Sequence, residues 1–146
     1  MVWLRLLLGM LVLFPVATLA AEEIVGSIKT VEGSAVVVRD GGLLEARPGI
    51  RLLRGDVLRT GENGRIGVIF RDDTLLSLGG DTEMAIEQFA FAPGAGRFGL
   101  VLHMIRGVAA FLSGQIAKLA PDAVRVETPV GTVGVRGTRF LIRIEG

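Results

Sequence analysis

The sequence has no cysteine and no tyrosine, and it carries one histidine and one tryptophan. Without thiols there is no disulfide framework, no thiolate nucleophile and no Cys/His zinc site. The lone imidazole, His103, has no second histidine to share a metal and no motif beside it that would use it as a base. It is expected to be a structural residue, at the surface or half-buried. Trp3 lies in the first twenty residues, so beyond them the aromatic rings are phenylalanines on strand patterns, a poor supply of stacking platforms for bases or sugars. An excess of one charge is also missing: 16 Lys and Arg face 15 Asp and Glu. A nucleic-acid partner is therefore not expected, since phosphate neutralisation needs a basic surplus.

What is present begins with a leader. Met1 to Arg5 holds one positive charge, Leu6 to Ala17 is almost wholly apolar, and Thr18-Leu19-Ala20-Ala21 is a small-residue exit. This is the layout of a secretory signal peptide over residues 1–20, with cleavage expected after Ala20. The apolar run is short for a bilayer span of about 20 residues, and acidic Glu22-Glu23 follow it, which argues against an uncleaved anchor. No cysteine follows for lipid attachment. The chain is expected to be exported and to keep no stable membrane insertion after cleavage. An oxidising compartment suits a chain with no thiols.

From Ile24 onward, short β-branched runs alternate with Gly, Asp and Pro, and helical periodicity is scarce. The pattern predicts one all-β domain over residues 22–146, built of short antiparallel strands in a solenoid-like or sandwich-like arrangement. Ile24 to Val31 and Ser34 to Arg39 flank Glu32-Gly33 as an expected hairpin. Val57 to Thr60 and Arg65 to Phe70 flank Gly61-Glu62-Asn63-Gly64, where Asn-Gly is a strong hairpin signal. Ile66, Val68 and Phe70 fall on one face, as do Phe98, Leu100, Leu102 and Met104, with His103 opposite. Phe140, Ile142 and Ile144 are expected inward. Ser113 to Leu119 is the one stretch with helical character, and Gly114 weakens it to a turn or a single frayed helical loop.

No catalytic constellation emerges. Asp72 and Asp73 are adjacent, so on a strand they would point to opposite faces, and in a turn they would cap backbone N–H groups. Asp81-Thr82-Glu83 falls short of a calcium loop, which requires ligands at several alternate positions around a Gly. Gly131 to Thr138 is rich in glycine but lacks the Lys-Ser/Thr ending and the helix start of a phosphate-binding loop. No metal and no cofactor is expected.

Taken in order, these stretches resemble the FecR domain, named for the periplasmic signalling part of bacterial iron-citrate regulators. Ile24 to Ile28 with Glu32 to Arg39 resembles its opening hairpin. Gly55-Asp56-Val57-Leu58-Arg59-Thr60-Gly61 resembles its G-D-x-x-x-T-G stretch. Phe70 to Leu78 resembles its D-G-T stretch, with Asp72, Asp73 and Thr74 here and Asp73 where the family usually has Gly. Val126 to Phe140 resembles the terminal T-P…R-G-T-x-F signature, carried by Arg136, Gly137 and Thr138. The resemblance implies an all-β, solenoid-like periplasmic module that transmits signals through protein contacts and has no catalytic residues. The anti-sigma and membrane segments that precede this domain in the iron regulators are expected to be absent.

In physical terms the motif residues Gly55, Asp56, Asp72, Asp73, Thr74, Arg136, Gly137 and Thr138 are expected to hold tight β corners. Asp56 is the candidate partner of Arg136, which sits among Val133, Val135 and Phe140. If that charge is buried, Arg136→Ala is expected to cost about 2–4 kcal/mol. The functional expectation is a non-enzymatic, exported periplasmic module that binds another cell-envelope protein; the alternative is a structural or surface-associated envelope protein. The candidate contact is the loop from Ala92 to Arg97, where Pro93 and Gly94 have little packing use and Arg97 closes the turn.

Overall fold

A strand with one apolar face must find a second layer to bury it, and this chain solves that with a single sheet folded over on itself. The computed structural model describes Val12, Pro15 and residues 23–145. Apart from those first two positions, the expected signal peptide and its cleavage point lie outside the described residues. The strands are β1 (Ile24–Glu32), β2 (Ala35–Arg39), β3 (Gly42–Glu45), β4 (Arg51–Leu53), β5 (Val57–Thr60), β6 (Arg65–Phe70), β7 (Leu75–Leu78), β8 (Glu83–Ala92), β9 (Arg97–Leu112), β10 (Val124–Thr128), β11 (Gly131–Gly134) and β12 (Arg139–Ile144). Helix α1 (Gln115–Leu119) is a single short turn of chain between β9 and β10.

Hydrogen-bonded neighbours run β3-β2-β5-β8-β9-β7-β6-β1-β4, with β10 beside β9, β11 beside β10, and β12 against the far part of β9. The first part of β9 pairs antiparallel with β8 and parallel with β10; its second part pairs with β7 and β12. The long strand β9 thus belongs to both halves, and the sheet curls there into a half-barrel, an all-β single domain. Between the halves lies one core: Leu58, Met84, Ile86, Leu100 and Leu102 from one side meet Ile66, Val68, Phe70, Leu76 and Phe111 from the other. The inward faces predicted for β6 and β9 are buried apart from half-buried Phe98; on β12 Ile142 is buried while Phe140 and Ile144 are half-buried against the core, and Ile116 of α1 is fully buried in it.

The bend in β9 is set at Gly107. Its φ is +103°, and a Cβ there would lie 2.2 Å from Thr82 Oγ1 and 2.4 Å from Thr82 Cα, so only glycine fits. The Val108 N–H donates to Thr82 Oγ1 at 3.0 Å, the Thr82 N–H donates to Thr60 Oγ1 at 2.9 Å, and the Thr60 hydroxyl donates to the Gly79 carbonyl at 2.6 Å. This column of hydroxyls satisfies backbone groups at the corner, where the ladder cannot.

Two expected hairpins are not hairpins. β1 pairs with β4 and β6, whereas β2 pairs with β3 and β5. Likewise β5 pairs with β2 and β8, whereas β6 pairs with β1 and β7. The Asn63-Gly64 turn is tight, with the Gly64 N–H donating to the Gly61 carbonyl at 2.9 Å, but it carries the chain from one half to the other. The Gly61 N–H donates to the Ser34 carbonyl at 2.9 Å and the Asp81 N–H to the Gly61 carbonyl at 3.0 Å, so three turns stack as a solenoid corner. Turn residues set how sharply the chain reverses; which strand it then pairs with depends on which half buries its apolar face.

Candidate functional site

The family-like residues separate into two groups by burial. Asp56, at the corner between β4 and β5, is 1% exposed. Its carboxylate accepts from Arg39 Nε at 2.9 Å and Arg39 Nη2 at 2.7 Å, and from the Leu53 N–H at 2.8 Å. The expected Arg136 partner is a mistaken assignment: Arg39, on the adjoining strand β2, reaches Asp56 with the two-pronged geometry that guanidinium and carboxylate favour. Gly55, with φ +91°, sets the turn before it.

Asp72 is fully buried in the turn between β6 and β7. It accepts from the Thr74 N–H at 3.1 Å, the Thr74 hydroxyl at 2.8 Å and the Ile116 N–H at 3.1 Å, while its own carbonyl accepts from the Gln115 N–H at 2.8 Å. One side chain therefore ties a β turn to the start of α1. Asp73 adopts φ +68°, which accounts for the glycine that the family pattern has at this place; aspartate is one of the few other residues that tolerates it.

The signature from Val126 to Phe140 lies largely outside. After buried Val126 the chain forms the hairpin β10–β11, in which Val130 is 87% exposed and every residue of β11 is exposed. Arg136, Gly137 and Thr138 are exposed as well, so the expectation of a buried Arg136 is corrected. The two carbonyls at this bend are taken by Ser113: the Ser113 N–H donates to Thr138 O and its hydroxyl to Gly137 O, both at 2.8 Å. Among the described residues β11 hydrogen-bonds only to β10, which leaves its outer edge open there.

The loop from Ala92 to Arg97 closes the β8–β9 hairpin as a short 3-10 turn over Pro93–Ala95, with Gly96 left-handed and residues 93–97 exposed. It rims an open groove of about 590 Å³ lined by Phe89, Phe91 and Phe98 together with Arg54 and Arg97.

One constellation was not legible from sequence. His103 is half-buried on the outward face of β9, and its Nδ1 lies 3.2 Å from Glu87 Oε1 and 3.7 Å from Glu127 Oε2. The three residues come from adjacent strands β8, β9 and β10 and are more than fifteen positions apart in the chain, so no local spacing announces them. The Glu127 carboxyl is held below the usual carboxylate range, chiefly by the Arg125 side chain donating to it, against the opposing effect of desolvation. Glu83, by contrast, is engaged by Arg59 at 3.1 Å and Arg106 at 3.8 Å.

With this geometry in place, the likeness to known families becomes informative. The family described as FecR protein matches residues 56–146, more than half of the chain. The chain belongs to the FecR protein family. FecR is a non-enzymatic signalling family, and a regulatory module is what membership supports. The FecR match opens at Asp56 and takes in β5 to β12, including Asp72, the open edge of β11 and the three members of the His103 cluster. β1 to β4 precede the matched segment yet complete the same sheet. No curated protein and no solved structure matches the chain. Among the described residues, no helix is long and apolar enough to cross a membrane.

Proposed function

We propose that this chain is an exported, non-catalytic signalling module of the periplasm that acts by docking another cell-envelope protein. The observation that supports it is the placement of the signature hairpin: Val130, 87% exposed in the turn between β10 and β11, and Val133 on β11, whose outer edge pairs with no other described strand, do nothing for the core. An open edge offers a row of N–H and C=O groups to an added strand, and exposed valines give such a strand apolar side chains to cover. Export rests on the leader read from residues 1–20, and the regulatory role on FecR membership. The loop from Ala92 to Arg97, beside its phenylalanine-lined groove, offers a second contact for the same partner.

The test is crosslinking in intact cells with a photoreactive residue at Val130 and, separately, at Gly94, followed by mass spectrometry. Capture of one envelope protein from position 130, lost when Val133 is replaced by lysine in the same photoreactive chain, is the expected result. Retention of that capture when the Ala92–Arg97 loop is shortened to Asn-Gly would place the primary contact at β11. Capture from neither position above background would favour a structural envelope protein.

A further inference from the structure

We propose that Glu87, His103 and Glu127 form a binding site for a divalent transition-metal ion of the zinc type on the outer face of the sheet. The inference is independent of any docking partner.

The site is assembled by register. Glu127 of β10 lies directly beside His103 of β9 in the parallel pair, so both side chains project outward next to one another. Across β9, the pairing with β8 is Ile86 to Leu102 and then Gln88 to Val101, which leaves Glu87 as the extra residue of a β-bulge. A bulge re-aims the side chain it frees, and here Glu87 is turned toward the imidazole. One oxygen of each glutamate and a ring nitrogen all lie within 4.8 Å of one another. An ion holding ligands at about 2.0–2.2 Å sets their donor atoms roughly 3–3.5 Å apart in tetrahedral or octahedral geometry; the 3.2 and 3.7 Å separations at His103 Nδ1 need only small rotations.

Charge and orientation agree with this. Two carboxylates and an imidazole, which ligates metal as the neutral ring, carry −2, matching a divalent ion. Arg125 Nε donates to Glu127 Oε1 at 3.2 Å, so Oε2 is the oxygen left toward His103. Such an outer partner fixes the direction of a metal-binding carboxylate. The mixed nitrogen and oxygen set suits zinc, manganese or iron better than calcium or magnesium. Three protein donors, each about a third exposed, leave further coordination positions open to water.

Zinc titrated into the full chain, purified without a histidine tag and followed by calorimetry at neutral pH, tests the site. The chain has one histidine and no cysteine, so no second imidazole and no thiolate competes for zinc. Saturable 1:1 binding is expected, abolished in His103→Ala and weakened at least about tenfold in Glu87→Gln and in Glu127→Gln. In the same samples, long-range proton–nitrogen NMR should show zinc moving the Nδ1 resonance of the sole imidazole. Urea midpoints of the variants, expected near that of the parent, separate lost binding from lost fold. Absence of saturable binding in the folded parent overturns the proposal, as does equal affinity in His103→Ala.

Discussion

The guanidinium of Arg39 grips the carboxylate of Asp56 with two bonds, at 2.9 and 2.7 Å, across 17 residues of chain. The pair locks the end of β2 to the corner that feeds β5. Because Asp56 is buried and also receives the Leu53 N–H, removing its side chain strands donors that cannot all reach water. Asp56→Ala is expected to destabilise by about 3 kcal/mol. Asp56→Asn, which keeps an acceptor for Leu53, should cost roughly half as much. Urea unfolding of the three proteins measures both.

Arg136 gives the opposite expectation. Its side chain is exposed, so Arg136→Ala should move stability by no more than about 0.5 kcal/mol. A urea midpoint lowered by the equivalent of 2 kcal/mol or more would return this residue to a buried role.

At Asp73 the backbone, not the carboxylate, decides. The left-handed φ of +68° suits Gly and Asp and opposes a β-branched side chain. Asp73→Gly should be near neutral, since relief of strain is offset by greater freedom of the unfolded chain and loss of the exposed Gln115 contact. Asp73→Val should fall below Asp73→Gly by about 1–2 kcal/mol in thermal or urea unfolding.

The bend of β9 rests on a single missing methyl group. Gly107→Ala would drive a Cβ against the Thr82 backbone at 2.4 Å and force an L side chain into φ +103°, which such residues rarely adopt. The expected cost is about 3 kcal/mol or more. If circular dichroism and unfolding of Gly107→Ala match the parent, the corner is more compliant than this packing implies.

Ile66, Val68 and Phe70 announce an inward face by alternation alone, and the alternation of Phe98 to Met104 likewise places His103 outward. Period-two patterning, the Gly- and Asp-rich turns and the order of the family-like stretches are local properties, so the all-β class and the family were readable in the residues. Partner choice was not. Glu32-Gly33 and Asn63-Gly64 look like hairpin turns because a sharp reversal needs the same residues whether the chain returns along its own sheet or crosses to the other half. Crossing is settled by burial of both apolar faces against one core. For the same reason Asp56 found Arg39 and not Arg136: both arginines are chemically suitable, but only the strand order brings one within reach. The His103 cluster is the clearest case, since it requires a parallel β9–β10 register and a one-residue bulge at Glu87, and neither long-range pairing leaves a trace in the spacing of the residues involved.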